Sequence, residues 1–281
     1  MINESVTRFA PSPTGFLHLG HAHAALFAWH AAVSVGGRFL LRIEDIDGPR
    51  CRPEFEDAIY EDLTWLGVNW DGEVLRQSDR RAAYEAALTT LAEAGLMYPC
   101  FCTRKEIAAE IKAAGSAPQG PKPIGPDGPL YPGTCRGAKE IAGEGEAALR
   151  LDCAAAGAAM GPLDFSDRAA GSIAVDPYLF GDAVVARKDI GTSYHLACVV
   201  DDAAQGITLV TRGNDLLPAT HLHRVLQAAL SLPQPEYHHH GLIMDDSGHR
   251  LAKRDDARSL RALRASGVSP AEARALAGFP D

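Results

Sequence analysis

Apolar positions near the start of the chain follow two different spacings. SVTRF and RFLLRI are short apolar runs, whereas LGHAHAALFAWHAAV between them has apolar residues at helical spacing and ends before Gly36 and Gly37. A strand, a helix and a second strand joined by a short return form a βαβ unit, which is typical of a parallel sheet. The pattern therefore predicts an α/β fold built on a parallel sheet.

Charged residues stand at the ends of both predicted strands. Arg8 closes the first strand, and Glu44 and Asp45 follow the second. Open α/β sheets bind their ligands beyond the carboxyl ends of the strands. We therefore expect a ligand site at this edge of the sheet.

The remaining elements follow the same logic. Amphipathic helices are predicted in RPEFEDAIYEDLTWLGVNW and in SDRRAAYEAALTTLAEAGL, the second with Ser78 as its N-cap. Strand, helix and strand recur in DAVVARKD and YHLACVVDDAAQGITLVTRGND, then a helix in THLHRVLQAALSL and a strand in YHHHGLI. The final segment, SPAEARALAG, predicts a helix that starts at Ser269 and Pro270.

A composition change after residue 95 indicates an insertion. SAPQGPKPIGPDGPLYPGTCRG is dense in proline and glycine, so it forms neither a helix nor a central strand. We predict four parts: residues 1–95 as the first half of the sheet domain, 96–175 as an insertion, 176–235 as the second half, and 236–281 as a polar loop with a short helical tail.

Composition narrows the class of protein. The chain has 281 residues, of which 46% are apolar, and a formal net charge of −9, which disfavours general binding to phosphate backbones. It shows no secretion signal and no apolar run of about 20 residues that would span a membrane. Six cysteines without an export signal favour reduced thiols over disulfides. We expect a cytoplasmic protein.

Two histidines flank a glycine where the first helix begins. A metal site at His18 and His21 is disfavoured, because the spacing differs from H-E-x-x-H and the intervening residues include no carboxylate. Isolated histidines at a helix start are usually plain surface residues. However, Gly20 lets a ligand approach the backbone, and a helix N-terminus favours anions. The stretch is a candidate for binding phosphate.

A second candidate lies late in the chain, in HRLAKRDD. Most basic clusters are solvated surface. This one follows a predicted strand, so Lys253 would extend over the same sheet edge as the histidines and would be suited to contact a phosphate.

Together these motifs resemble the signatures of class I aminoacyl-tRNA synthetases, HIGH and KMSKS. RFAPSPTGFLHLGHAHAAL, LLRIEDIDGPR and RGNDLLPATHLHRVLQAAL are similar to segments of the glutamyl-tRNA synthetase family, so the resemblance covers nearly the whole chain. It implies a Rossmann-like, nucleotide-binding parallel-sheet domain with a zinc-bearing insertion and a short C-terminal helical segment.

The resemblance also implies roles for individual residues. His18, His21 and Lys253 would be catalytic and, with Gly20, would bind ATP, which enters with Mg²⁺ as a substrate. Glutamate would be bound by the following residues: Arg8, Phe9, Ala10, Pro11, Ser12, Glu44, Tyr194 and Arg212. Guanidinium groups suit a dicarboxylate, and Glu44 suits an α-ammonium. Taken singly, Arg8 or Arg212 would form an ordinary structural salt bridge.

Three cysteines in the insertion form a candidate metal site. Cys100, Cys102 and Cys135 would give zinc three thiolates, and a tetrahedral ion needs a fourth donor. Tyr131 is the leading choice, with the following residues as alternatives: Asp127, Tyr98 and Cys153. Spacing alone equally allows three unrelated buried cysteines. The resemblance favours one structural Zn²⁺, because some short glutamyl-synthetase-like proteins carry C-x-C and Y-x3-C here.

The length after the lysine loop suggests a particular branch of the family. Only about two short helices fit after Asp255, so we expect no anticodon-binding domain. The chain thus resembles short paralogues that attach glutamate to the queuosine base of tRNA(Asp), and we expect a monomer. Alternatives are a short enzyme that charges a tRNA 3′ end and a non-catalytic module. Arg250 and Ala252 replace a lysine and a serine of KMSKS.

Overall fold

The computed structural model describes residues 4–115, 124–137, 146–243 and 259–280. Its strands are β1 (Val6–Phe9), β2 (Arg38–Ile43), β3 (Leu75–Arg76), β4 (Met97–Cys100), β5 (Ile124–Gly125), β6 (Gly128–Pro129), β7 (Ala148–Leu151), β8 (Asp164–Asp167), β9 (Gly171–Ala174), β10 (Val184–Ala186), β11 (Leu209–Gly213) and β12 (Glu236–His240). Its helices are α1 (Leu19–Val33), α2 (Pro53–Trp65), α3 (Arg81–Glu93), α4 (Arg104–Gly115), α5 (Cys153–Met160), α6 (Tyr194–Ala204), α7 (Leu217–Ala229), α8 (Leu260–Ala265) and α9 (Pro270–Leu276).

The predicted parallel sheet is present. β1 pairs with β2 and β2 with β3, both in parallel, and β11 pairs in parallel with β12. The two groups of strands meet at Val6, whose carbonyl accepts from the Thr208 N–H at 3.0 Å. β11 therefore lies beside β1, and the order β3-β2-β1-β11-β12 reverses direction there. Such a reversal point is where a doubly wound fold binds its ligands.

Small side chains let α1 pack closely on this sheet. Its buried face consists of four alanines and a leucine: Ala22, Ala25, Leu26, Ala28 and Ala32. The return to β2 is tight, because a Cβ at Gly37 would come within 2.1 Å of the Ser5 carbonyl oxygen. Glycine is therefore required there, and the predicted helix stop is explained.

Strands from within and after the predicted insertion form a separate antiparallel sheet of order β10-β7-β4. We predicted a boundary at residue 175, but strands on each side of it pair with strands on the other side. β8 lies before it but pairs with β12 of the main sheet, and β10 lies after it but pairs with β7. The four-part division remains a prediction, and residue 175 does not separate the two sheets.

The C-terminal helices join the main core. Leu260, Ala273 and Ala277 are buried in the same cluster as α1. α9 starts at Ser269 and Pro270 as predicted, and Ser269 also forms a reciprocal capping box with Glu272. The predicted N-cap of α3 was wrong: a 3₁₀ turn precedes the helix, and Ser78 instead donates to Asp45. No helix among the described residues is long and apolar enough to cross a membrane.

Candidate active site

A cavity of about 540 Å³ opens at the carboxyl ends of β1, β2 and β11. Most of the residues that the resemblance assigns to glutamate or ATP line it: Arg8, Phe9, Ala10, His18, Gly20, His21, Glu44, Tyr194 and Arg212. Lining residues that sequence reasoning missed are His23, Ala24, Thr211, Gly213, Asp215, Leu216, His240, Gly241, Leu242 and Ile243. The structure thus brings the predicted residues together, while their assignment to ligands remains a prediction.

Three assigned residues are not among the lining. The Pro11 carbonyl accepts from the Glu44 N–H at 3.0 Å and so ties the end of β1 to the end of β2. Ser12 is exposed, and its carbonyl accepts from the Thr14 N–H in the turn that follows. Lys253 lies outside the described residues, but the segment that carries it starts after Ile243, which lines the cavity, and ends before Ser259, which bridges to His18.

The two motif histidines cap α1 with their own rings. His18 Nδ1 accepts from the Gly20 N–H at 3.1 Å, and His21 Nδ1 accepts from the His18 N–H at 3.2 Å. This is a capping box in which imidazoles replace the usual hydroxyl and carboxylate. Because each Nδ1 accepts, a neutral ring carries its proton on Nε2. Both rings line the cavity with a fixed tautomer.

A packing contact that the sequence did not indicate explains why residue 20 is a glycine. A Cβ at this position would lie 3.0 Å from His18 Cε1 and 3.2 Å from His18 Nδ1. The missing side chain therefore makes room for the His18 ring to fold back over the helix start. The contact with His18 is enough to explain the glycine. The approach of a ligand to the Gly20 backbone stays a prediction.

Arg8 forms a buried salt bridge with Asp202, a partner that the sequence did not indicate. Its Nε donates to Asp202 at 3.0 Å, Nη2 donates to the same carboxylate at 3.3 Å, and Nη1 donates to the Thr211 carbonyl at 3.2 Å. Arg42 donates to Asp202 at 2.7 Å. Burial alone would raise the pKa of Asp202, but the two guanidinium groups outweigh it and hold that pKa well below its usual range.

Glu44 completes the charge cluster. It accepts from Arg42 Nη2 at 3.1 Å, and burial raises its pKa although Arg42 and Arg8 oppose the shift. Arg212 lines the same cavity as Glu44, so the cavity offers a guanidinium for a carboxylate and a carboxylate for an ammonium group.

Arg212, in β11, is held by neighbours that the sequence did not single out. Nε donates to His239 Nε2 at 3.1 Å, Nη1 bonds His223 Nδ1 at 3.2 Å, and Nη2 donates to Thr220 at 2.6 Å. A guanidinium has five N–H groups, so two remain without a partner among the described residues. Only the alternation of HHH in β12 hinted that His239 points differently from His238 and His240.

Tyr194 begins α6 and is half-buried at the cavity wall. Burial raises the pKa of its hydroxyl well above the ordinary value, so the group stays a neutral hydrogen-bond donor near neutral pH. Ser193 fixes the helix start, because its side chain accepts from the Leu196 N–H.

The cysteine cluster is also assembled. The sulfur atoms of Cys100, Cys102 and Cys135 lie within 4.8 Å of one another. The Tyr131 hydroxyl lies 3.4 Å from Cys100 Sγ and 3.5 Å from Cys102 Sγ, and it accepts from the Cys135 N–H at 3.0 Å. Although burial opposes the change, hydrogen bonds from Tyr131 and Arg150 lower the pKa of Cys100 to about 7. The lowered pKa favours a thiolate at Cys100, the form that binds metal, whereas burial raises the pKa of Cys102 to about 11.

The alternative fourth donors have other surroundings. Tyr98 donates its hydroxyl to Asp182, and Cys153 Sγ accepts from Arg136 Nη2 at 3.8 Å. Asp127 is exposed in the turn between β5 and β6. Tyr131 is the candidate that contacts the three sulfur-bearing residues, and the Arg150 guanidinium lies 3.7 Å over its ring.

A parallel sheet with a cavity at its reversal point, walled by a helix start and buried arginines, is the arrangement in which open α/β folds bind their ligands. Residues 4–275 match the family model described as tRNA synthetases class I (E and Q), catalytic domain. The chain belongs to this family and is a ligase of the aminoacyl-tRNA synthetase type.

Individual relatives are similar over different lengths. The chain is 52% identical to a glutamyl-Q tRNA(Asp) synthetase of Rhodobacter capsulatus, over 98% of this chain and 100% of the relative. It is 43% identical to a protein of the same name from Nocardia farcinica, over 96% and 82%. A solved glutamate tRNA ligase from Elizabethkingia meningosepticum, in complex with its amino acid, is similar with a TM-score of 0.72 and 30% identity. That match covers 90% of this chain and 52% of the ligase, so the chain spans about half of it.

Proposed function

We propose that this enzyme activates L-glutamate with ATP, forms glutamyl-adenylate, and transfers the glutamyl group to the queuosine base at the wobble position of tRNA(Asp). The arginine cluster at the reversal point of the sheet is the observation that carries the first step. The names of the Rhodobacter capsulatus and Nocardia farcinica relatives support the choice of acceptor. The partners are thus glutamate, ATP with Mg²⁺ and a queuosine-containing tRNA(Asp), and the enzyme acts as a monomer.

Glutamate fits the charges of the cavity. The two N–H groups of Arg212 that have no described partner can donate to one carboxylate, and Tyr194 lines the same cavity. Glu44 supplies the acceptor for the α-ammonium, which would stabilise its ionised form despite burial. Asp202 keeps Arg8 charged and fixed in place. The amide of a glutamine side chain carries no negative charge, so it would not form the ion pair with Arg212 that a carboxylate can form.

ATP is assigned to the other wall of the cavity. His18 and His21 each carry a proton on Nε2, which suits donation to phosphate oxygens, and the start of α1 favours negative charge. Lys253 would contribute from the segment between Ile243 and Ser259. The α-carboxylate of glutamate attacks the α-phosphorus and pyrophosphate leaves, so no side chain acts as a nucleophile. Catalysis consists of alignment and charge stabilisation.

The cysteine cluster fits one structural Zn²⁺. Zinc at about 2.3 Å from sulfur and 2.0–2.2 Å from oxygen places tetrahedral donors about 3.5–3.8 Å apart. The separations of Tyr131 Oη from two sulfurs, 3.4 and 3.5 Å, and of Cys102 from Cys135, 3.5 Å, are close to this spacing. Cys100, Cys102, Tyr131 and Cys135 would hold the ion and tether the proline-rich segment. Metal analysis should find about one zinc per chain, and Cys135→Ser should lower it.

Glutamate-dependent exchange of pyrophosphate into ATP tests the first step, measured with and without tRNA. Wild type should exchange in at least one condition, and Lys253→Ala should reduce the rate strongly without changing the unfolding curve. Exchange that is absent in both conditions would contradict the proposal and favour a non-catalytic module. Exchange that is equally fast with glutamine would contradict the assignment of the arginine cluster.

A further inference from the structure

A continuous line of hydrogen bonds runs from the cavity into the body of the enzyme through Arg212. On one side, Arg212 Nε donates to His239 Nε2 at 3.1 Å, and His239 Nδ1 bonds Asp167 at 2.7 Å. On the other side, Arg212 Nη1 bonds His223 Nδ1 at 3.2 Å, and His223 Nε2 bonds His195 Nδ1 at 3.1 Å. Two imidazoles from different elements therefore bond one cation, and a third imidazole bonds His223.

The direction of each bond follows from the arginine, which can only donate. His223 must accept at Nδ1, so its proton lies on Nε2 and is donated to His195. His195 then accepts at Nδ1. His239 likewise accepts at Nε2 and donates from Nδ1 to Asp167. Every hydrogen bond in the series is therefore donated away from Arg212, and each bond fixes the tautomer of the imidazole that follows.

The surroundings of His223 keep it neutral. It is 2% exposed, and the groups that face it are the cations Arg212 and Arg8, the imidazoles His195 and His239, and the ring of Tyr194. Burial first and Arg212 second hold the pKa of His223 well below its ordinary value, and the same two causes lower the pKa of His195 to about 4. A neutral imidazole can accept from Arg212, whereas a protonated one would repel it.

We infer that His223 is a positioning residue for the carboxylate-binding face of Arg212, and that His195 acts through it. This inference rests on the proposed function, because it takes glutamate as the ligand of Arg212. With His223 and Thr220 each engaging one terminal nitrogen, the guanidinium cannot rotate, so its two remaining N–H groups point in fixed directions. The ring of His223 therefore contributes to the discrimination of glutamate from glutamine without touching either.

His223→Leu and His223→Asn form the matched pair that tests this role. Leucine removes the acceptor, whereas the asparagine oxygen takes the place of Nδ1. His223→Leu should raise KM for glutamate about tenfold, the usual effect of losing a hydrogen bond to a charged group, with a smaller change in kcat. It should also reduce the preference for glutamate over glutamine, leave KM for ATP unchanged, and be largely rescued by His223→Asn. Equal effects on both substrates in both variants, or an unchanged KM for glutamate, would overturn the inference.

The role of His195 is tested by a double-mutant cycle. If His195 acts through His223, then His195→Leu should raise KM for glutamate in wild type but add little in the His223→Leu background. Fully additive effects would show that His195 acts independently. Failure of the proposed function is distinguishable, because wild type would then show no glutamate-dependent exchange; active wild type with unaffected variants contradicts this inference alone. Direct calorimetric binding of glutamate gives a second readout.

Discussion

Asp202→Asn removes the carboxylate that both Arg8 and Arg42 bind. The aspartate accepts from Arg8 at 3.0 and 3.3 Å and from Arg42 at 2.7 Å, and all three side chains are nearly or fully buried. Asparagine keeps the shape but loses the charge, and its amide group would place two N–H donors against guanidinium groups that can only donate. Arg8 would then face a neutral acceptor in place of its carboxylate, whereas Arg42 would keep its bond to Glu44.

The cost is large because both partners stay buried. Removing one member of a buried ion pair typically costs 3–5 kcal/mol, since the remaining charge is left uncompensated. For a chain of this size that corresponds to a melting temperature roughly 10 °C lower. The pKa of Asp202 lies below its unfolded value of about 3.9, so its contribution is fully present above that pH and is lost as the pH falls below it.

Thermal and urea unfolding of both proteins at pH 7 and near pH 3.5 measures this effect. The difference in unfolding free energy should be full at pH 7 and smaller near pH 3.5. Glu236→Gln is the matched control, because Glu236 pairs with Arg168 at 2.8 Å where both side chains are exposed. That change should cost about 1 kcal/mol or less. An Asp202→Asn enzyme within 1 kcal/mol of wild type would refute the reasoning.

Two further changes test other contacts. Gly20→Ala should lower kcat/KM for ATP in the exchange assay roughly tenfold, because a Cβ would press on His18 Cε1 at 3.0 Å and displace the ring; unchanged kinetics would show that the ring position does not matter. Asp62→Asn should stabilise the protein by about 1–3 kcal/mol at pH 7.5 in urea unfolding, because burial without a hydrogen bond raises the pKa of Asp62 to about 6. That gain should disappear as the pH falls towards 4, and a loss of stability at pH 7.5 would contradict it.

Local patterns predicted the elements around the cavity well. The βαβ unit, the stop of α1 at the glycines and the cap of α9 at Ser269 each depend on spacing within one segment, and the structure confirms them. Placement of Arg8 and Glu44 at one sheet edge followed from the parallel topology alone. These features are local or are fixed by a general rule of α/β folds.

Contacts between distant segments were not predictable in the same way. Asp202 bonds Arg8 across most of the chain, and nothing in the helical pattern of YHLACVVDDAA distinguishes Asp202 from Asp201 as its partner. The histidines that hold Arg212 come from α6, α7 and β12. The pairing of β8 with β12 likewise joins segments far apart in sequence, which is why the boundary at residue 175 misses it. Ser78 failed as a cap because Asp45, a distant residue, competes for it.

The most direct test of the proposed acceptor uses tRNA(Asp) with and without queuosine, each with its 3′-terminal adenosine either present or removed. Labelled glutamate should attach to the queuosine-containing tRNA whether or not the adenosine is present, and should not attach to the queuosine-free tRNA. Equal attachment to both tRNAs, or attachment that disappears with the adenosine, would contradict the account and identify an enzyme that charges the 3′ end.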